Sequence, residues 1–539
     1  MSKPGKKKTT SRTNAGNEQS ADKAIDRKRI LWVDDEIDSL KPHIMFLENK
    51  GYEVVGAMSG DDALTTVRQQ LFDLVLLDEM MPGMDGLTTL EEIKKIRPHL
   101  PVVMVTKSEE ESLMEEAIGQ KIDDYLVKPV VPTQILSVIK RLLDAKKIIE
   151  SSSMRRYISE INRFGQNLYG SMQPEDWYAA ARLIGEWNLA LDESNDPGLQ
   201  EIHTGTQKEW NTEFTKYILS MYPKWLHMKK RPVLSPDVTK EFVIPEIKKK
   251  KNVVYIVVDC LRLDQWMLVE PMVAEFYNIE RHYYFSILPT ATPFARNALF
   301  SGLFPDDIHK TYPDNYNIQD EGSLNRNEEK LLEDNLVRNG LRIDKQTQFQ
   351  KIYNNTEGEE LAKRVKDFFN DRLTTMVFNF LDILAHGRSS NVILKEIAGT
   401  EAAFRSLMRS WFAHSPLFTI LKAFAERDCT VVLTSDHGSV LCRRGTMAHG
   451  RRSTSTNLRY KYGDNLNSEK KESLLIKKPE DWRLPSFTLS TTFIIALEDF
   501  YFVYPNNYNE MVRRFQNSFQ HGGISLEEMI VPVAVMNPK

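Results

Sequence analysis

The chain has 539 residues, room for about three domains of ordinary size. With 71 Lys+Arg against 75 Asp+Glu the net charge is −4, which excludes a globally basic binder of duplex nucleic acid. Hydrophobic residues make up 41% and charged residues 27%, as in soluble globular proteins, and no apolar run of about 18 residues exists to span a membrane. Three cysteines (Cys260, Cys429, Cys442) are too few for a disulfide framework or a thiolate zinc site, so a reduced, cytoplasmic protein is expected. Residues 1–27, with Lys3, Lys6, Lys7, Lys8 and Arg12 and no apolar stretch, read as a disordered basic tail rather than a secretion signal.

From Lys28 apolar strands alternate with helical patterns, the mark of a parallel βαβ sheet. ILWVDDE ends in Asp34 and Asp35, FDLVLLDEMMPGMDG delivers Asp78, PVVMVTK ends in Thr106, and DDYLVKPV carries Tyr125 and Lys128. In such a sheet the carboxyl ends of the strands share one edge, so carboxylates, a hydroxyl and an ammonium converge there. Asp34, Asp35 and Asp78 are hard oxygen ligands suited to Mg²⁺. Asp78 can take a phosphoryl group, Lys128 can pair its oxygen, and Thr106 can move toward it while Tyr125 fills the space vacated. Residues 28–145 thus resemble a response-regulator receiver domain, which is flavodoxin-like. The resemblance implies a histidine kinase as phosphodonor and a phosphorylation-favoured homodimer.

Residues 146–232 read as a helical connector. QILSVIKRLLDAKKIIESSSMRRYISE has apolar residues at helical spacing, and the receiver's last helix is expected to run on through it. Trp177, Trp187, Trp210 and Trp225 are candidate packing anchors, with helix breaks at Gln173-Pro174 and Asp196-Pro197-Gly198. No recognition-helix pattern rich in Arg and Asn is present, which argues against a DNA-binding regulator. The proline-rich and lysine-rich stretch from Arg231 to Lys251 marks a boundary.

Residues 233–539 read as a large α/β domain, making the whole an α/β multidomain protein. NVVYIVVDCLR is a buried strand ending in Asp259, and RDCTVVLTSDHG another ending in Asp436 and His437. TTMVFNFLDILAHG reads as a strand ending in Asp382, with His386 one helical turn on. His521 sits in the glycine-rich turn of QHGGISLEEMIVP, and Thr292 in LPTATPFARNALFSG, where a turn leads into a helix. Three Asp, three His and a hydroxyl suit two Zn²⁺ with open positions, with Mn²⁺ as runner-up. Arg296 and Asn297, one turn past Thr292, are candidate donors to phosphate oxygens. Arg443, Arg444, Arg451, Arg452, Arg459 and Lys461, interleaved with Tyr460 and Tyr462, suit a polyanion held by phosphate pairing and base stacking.

This order of motifs resembles the alkaline phosphatase superfamily, in its nucleotide pyrophosphatase/phosphodiesterase branch, and HGGISLEEMIVPVAV resembles the PglZ subgroup. The resemblance implies one ion held by Asp259, Asp436 and His437 beside a Thr292 nucleophile, and a second held by Asp382, His386 and His521. Receiver, connector and PglZ-type domain in one chain resemble the PorX type of response regulator, associated with type IX secretion. The expected function is a phosphorylation-controlled, two-metal phosphodiesterase acting on oligonucleotide or cyclic-nucleotide-type diesters. The alternative is a non-enzymatic regulator that contacts a sigma factor or secretion-motor protein, with the metal domain as scaffold.

Overall fold

Five short apolar runs pair in parallel to form the first sheet: β1 (Arg29–Val33), β2 (Glu53–Ala57), β3 (Leu74–Asp78), β4 (Val102–Thr106) and β5 (Asp124–Val127), in the order β2-β1-β3-β4-β5. The structure is a computed structural model, and it describes residues 28–98, 100–107, 122–143, 152–168, 172–193, 197–249, 252–313, 325–342, 346–390, 399–450, 457–505 and 508–539. The basic tail therefore lies outside the described residues. The chain divides into two compact units, Met1–Ser151 and Ser152–Lys539. In the first, side chains alternate between two cores as the period of two requires. Ile30, Trp32, Leu74, Leu76 and Val103 fill one face, and Leu31, Val33, Val75, Leu77 and Val102 the other. Helices Lys41–Asn49, Gly60–Gln69, Gly86–Ile96 and Pro132–Leu143 return the chain between strands or follow the last one. Ser59 and Asp85 cap two of them by accepting from Asp62 N and Thr88 N. This is the flavodoxin-like arrangement. The stretch proposed to carry the last receiver helix onward includes residues 144–151, which lie outside the described residues.

The second unit is built on a six-stranded sheet: β6 (Asn252–Val258), β7 (Tyr277–Phe285), β8 (Thr347–Ile352), β9 (Leu373–Phe378), β10 (Cys429–Thr434) and β11 (Ile530–Pro538). Its order is β7-β11-β10-β6-β9-β8. β10, β6, β9 and β8 are parallel, and β11 runs against both β10 and β7. Register does the work of assembly here. Thr434 pairs with Val257, so Asp436 and Asp259 emerge side by side, and Val258 pairs with Phe378, the last residue before the turn leading to Asp382. The strand Val440–Cys442 pairs antiparallel with Ser518–Gln520, Val440 opposite Gln520, which returns His521 to the same edge.

Three connector helices, Ser152–Leu168, Pro174–Asp192 and Pro197–Trp225, pack within this second unit. Two of them start on a proline, whose missing N–H costs nothing at a helix start. Trp177, Trp187, Trp210 and Trp225 are all buried, and Tyr178 and Trp225 pack on Phe285 of β7 at centroid distances of 4.9 and 5.0 Å. Arg405 forks to both carboxylate oxygens of Asp192 at 2.6 and 2.7 Å.

Candidate functional site

At the carboxyl edge of the second sheet, Asp259, Asp436 and His437 are buried and offer ligand atoms within 4.8 Å of one another. The turn that presents them is tied to its surroundings through its backbone. Tyr284 Oη donates to Ser435 O at 2.6 Å, Ser286 Oγ to Asp436 O at 2.7 Å, and Leu261 N to Ser435 Oγ at 2.9 Å. Burial and the neighbouring Asp436 push the Asp259 carboxyl up to about 7, and burial raises Asp436. Burial, with His521 beside it, holds His437 down to about 3, so its imidazole is a neutral ligand. Asp436 Oδ2 is buried with no hydrogen-bond donor, with His437 Nε2 at 3.7 Å and the Arg296 guanidinium at 3.9 Å. An orphaned carboxylate oxygen beside a neutral imidazole and a second carboxylate fits a divalent cation.

Thr292 is the first residue of helix Thr292–Ser301, and its Oγ1 lies 3.1 Å from His437 Nε2 and 3.4 Å from Asp259 Oδ1. Asp382 Oδ1 is 3.3 Å from His521 Nε2, and the His521 and His437 rings stack at 4.2 Å. The two sets of donors therefore adjoin. Asp382 lies in the first turn of helix Phe380–Ser390, not on a strand as its sequence suggested, because β9 ends at Phe378. His386 belongs to that helix, but its side chain lies outside the described residues, as do Arg451 and Arg452 entirely.

The expected phosphate donors are placed differently. Arg296 is buried and held by carboxylates and an amide: Nη1 donates to Asp259 Oδ2 at 2.7 Å and Asn379 Oδ1 at 3.0 Å, and Nε to Glu328 Oε1 at 2.7 Å. Glu328 in turn meets Lys351 at 2.9 Å. Asn297 is fully buried and donates to Pro293 O one turn back. Part of the basic stretch, Arg459 and Lys461, turns inward, while Arg443 is exposed and Arg444 half-buried. Arg459 forms a fully buried pair with Glu528, Lys461 donates to Asn457 O, and Arg444 pairs with Glu498 and Asp499. Tyr460 and Tyr462 are buried against Phe294 on the Thr292 helix, so they line a core instead of offering a stacking platform. Local sequence carried no sign of the distant partners: Glu328 and Asp259 lie 32 and 37 positions from Arg296, and Glu528 lies 69 from Arg459.

In the first unit Asp34, Asp35 and Asp78 likewise converge within 4.8 Å. Lys128 Nζ bridges Asp34 at 3.0 Å and Asp78 at 2.8 Å. Burial raises the Asp78 carboxyl, against the lowering effect of Lys128. The Thr106 hydroxyl donates to the carboxylate of Glu79, the residue after Asp78, and Tyr125 is half-buried on β5.

Residues 238–536 match the family described as the BREX system PglZ alkaline phosphatase-like domain. That is more than half of the 539-residue chain. The chain belongs to the PglZ alkaline phosphatase-like family. Residues 30–140 match the response regulator receiver domain and residues 147–226 the PorX response regulator linker domain, so this PglZ-family chain has the PorX-type arrangement. It is similar to the transcriptional regulatory protein ZraR of Escherichia coli (strain K12), 35% identical over 138 residues, 26% of this chain and 31% of ZraR. It is similar to ResD of Bacillus subtilis (strain 168), 36% identical over 115 residues, 21% of this chain and 48% of ResD. The chain thus spans about a third to a half of these relatives. Among solved structures it is similar to a CheY-like receiver domain protein from Methanospirillum hungatei JF-1, at 35% identity and a TM-score of 0.22, covering 22% of this chain and 97% of that one. It is also similar to TrrA of Thermotoga maritima in complex with Mg²⁺-BeF, at 32% identity and a TM-score of 0.20, covering 22% and 99%. No helix among the described residues is long and apolar enough to cross a membrane.

Proposed function

We propose that this PorX-type regulator is phosphorylated on Asp78 by a histidine kinase and that its output domain is a two-zinc phosphodiesterase with Thr292 as nucleophile. It works in the cytoplasm on oligonucleotide-type or related nucleotide diesters, in the control of type IX secretion. The observation that carries the reading is the Thr292 hydroxyl, 3.1 Å from His437 and 3.4 Å from Asp259 at the start of a helix. A scaffold needs no hydroxyl there. Asp259, Asp436 and His437 would hold one ion, and Asp382, His386 and His521 the other. When bound, the ions supply positive charge to the oxygens gained and lost in an in-line displacement.

This chain's residues supply the rest. Thr292 Oγ1 gives up its proton and bonds to phosphorus as one ester oxygen departs and takes up a proton, leaving a nucleotidyl-threonine diester that water hydrolyses to the phosphate monoester and the free Thr292 hydroxyl. Thr292 stands at the positive end of the Thr292–Ser301 helix, which would favour negative charge on the phosphoryl oxygens through the helix dipole, since Pro293 has no N–H and Phe294 N and Ala295 N donate to Ala291 O. Arg296 keeps Asp259 Oδ2 occupied, which leaves Oδ1 toward Thr292. In the receiver, Asp34 and Asp35 would hold Mg²⁺ beside Asp78, and Lys128 would pair a phosphoryl oxygen.

The test is hydrolysis of bis-p-nitrophenyl phosphate and of a short oligonucleotide by the full chain, before and after EDTA treatment and zinc restoration. Diester cleavage lost with EDTA and regained with zinc is the expected result. A zinc-loaded protein inert toward both diesters would overturn the reading and leave regulation by protein contact.

A further inference from the structure

In the loop that carries His521, Gly522 and Gly523 follow the histidine, while Ile524, Leu526 and Glu528 are buried. Ile524 N donates to Ala496 O, Glu498 N donates to Ile524 O and Glu528 pairs with Arg459, and three further elements that bear on the site are hydrogen-bonded to the loop. At the Thr292 turn, Gly522 N donates to Thr290 Oγ1 at 3.1 Å, and that hydroxyl donates to Gly523 O at 2.8 Å. At the Asp436-His437 turn, Gly438 N donates to Glu528 O at 3.1 Å, and a Cβ on Gly438 would collide with the Glu527 carbonyl oxygen. The third element is the connector helix Pro197–Trp225. Asn211 Oδ1 accepts from Leu526 N at 2.7 Å, Asn211 Nδ2 reaches both Glu527 carboxyl oxygens at 3.0 Å, and Gln207 Nε2 donates to Glu527 Oε1 at 2.5 Å.

One short segment thus joins His521, the backbone behind His437, the Thr292 turn and the connector. We propose that Asn211, supported by Gln207, is a positioning residue for the output site: it holds the 521–528 loop at the geometry in which His521 and His437 face the two adjoining ion sites. The Leu526 N–H that Asn211 meets is buried and the Glu527 carboxylate is half-buried, and a buried group left without its partner pulls its backbone toward another. The connector is also the stretch of chain between receiver and output domain, so a displacement of its last helix reaches His521 and His437 through these bonds. This regulation rests on the phosphodiesterase reading; the placement of the loop does not.

The full chain carrying Asn211→Ala, Gln207→Ala or, as an exposed control on the same helix, Lys208→Ala separates positioning from mere packing. Three quantities are read: zinc affinity by chelator competition, hydrogen exchange across residues 521–528 in EDTA-treated protein, and kcat and KM on bis-p-nitrophenyl phosphate. Asn211→Ala should bind zinc about tenfold more weakly, as changes behind a ligand do, exchange faster across the loop, and lose kcat with KM unchanged. Gln207→Ala should move in the same direction by less, and it carries the test if Asn211→Ala does not fold. Lys208→Ala should match the wild type. Loop exchange and zinc affinity within twofold of wild type, with only the melting temperature lowered, would overturn the proposal. A wild type that binds zinc but cleaves no diester would refute the phosphodiesterase, while affinity and exchange would still judge the clamp.

Discussion

A buried guanidinium facing carboxylates is costly unless each charge is met, and Arg296 is met by Asp259 and Glu328 at 2.7 Å each. Removing it strands two acids in the interior. Arg296→Met should therefore destabilise the EDTA-treated protein by about 3–5 kcal/mol in urea unfolding. It should also weaken zinc uptake near neutral pH, because the Asp259 carboxyl, already at about 7, loses the neighbour that lowers it. Unchanged zinc affinity with a raised KM would instead make Arg296 a substrate-binding group. From sequence, this arginine one turn past Thr292 looked like a phosphate donor. A charge reveals its type locally and its partner only in three dimensions, and Glu328 and Asp259 lie 32 and 37 positions away.

Among the elements, the connector is held by polar contacts as much as by its tryptophans. His203 is buried between Tyr157 Oη at 3.2 Å and Asn188 Oδ1 at 3.0 Å. Burial, and then Arg405, holds its imidazole down to about 4 from 6.5. The unfolded chain therefore takes up the proton first as pH falls. His203 should contribute its full stability above pH 6.5 and lose about 1.4 kcal/mol per pH unit down to about 4. Urea midpoints of wild type and His203→Gln across that window check this, and parallel pH profiles would contradict it. Strand ends were legible because a buried apolar run followed by Asp or His can be read in a few residues, as at Asp78, Asp259 and Asp436-His437. Helix starts at Pro174 and Pro197 were legible for a similar local reason. The docking of Asn211 on Leu526 and Glu527, and the inward turn of Arg459 and Lys461, were not. The docking of Asn211 and the pairing of Arg459 with Glu528 span tens to hundreds of residues, which composition and periodicity do not encode, while Lys461 folds back on Asn457 four residues before it.

For the whole molecule, the receiver and the output domain make separate claims that one preparation can test. Thr106 donates to Glu79 in this structure, so engaging a phosphoryl group on Asp78 requires that bond to break. Beryllofluoride with Mg²⁺ should shift the full chain from monomer to dimer in light scattering, and Asp78→Asn should abolish the shift. An unchanged mass in the wild type would remove dimerisation from the account. The central claim is that Thr292 does the chemistry while the acids and histidines hold the ions. It is tested most directly by counting zinc and measuring diester turnover in wild type and Thr292→Ala together. Both proteins should retain about two zinc ions, and Thr292→Ala should lose turnover by at least about a thousandfold, as expected when a nucleophile is removed. A fully metal-loaded Thr292→Ala that cleaves at the wild-type rate would contradict it.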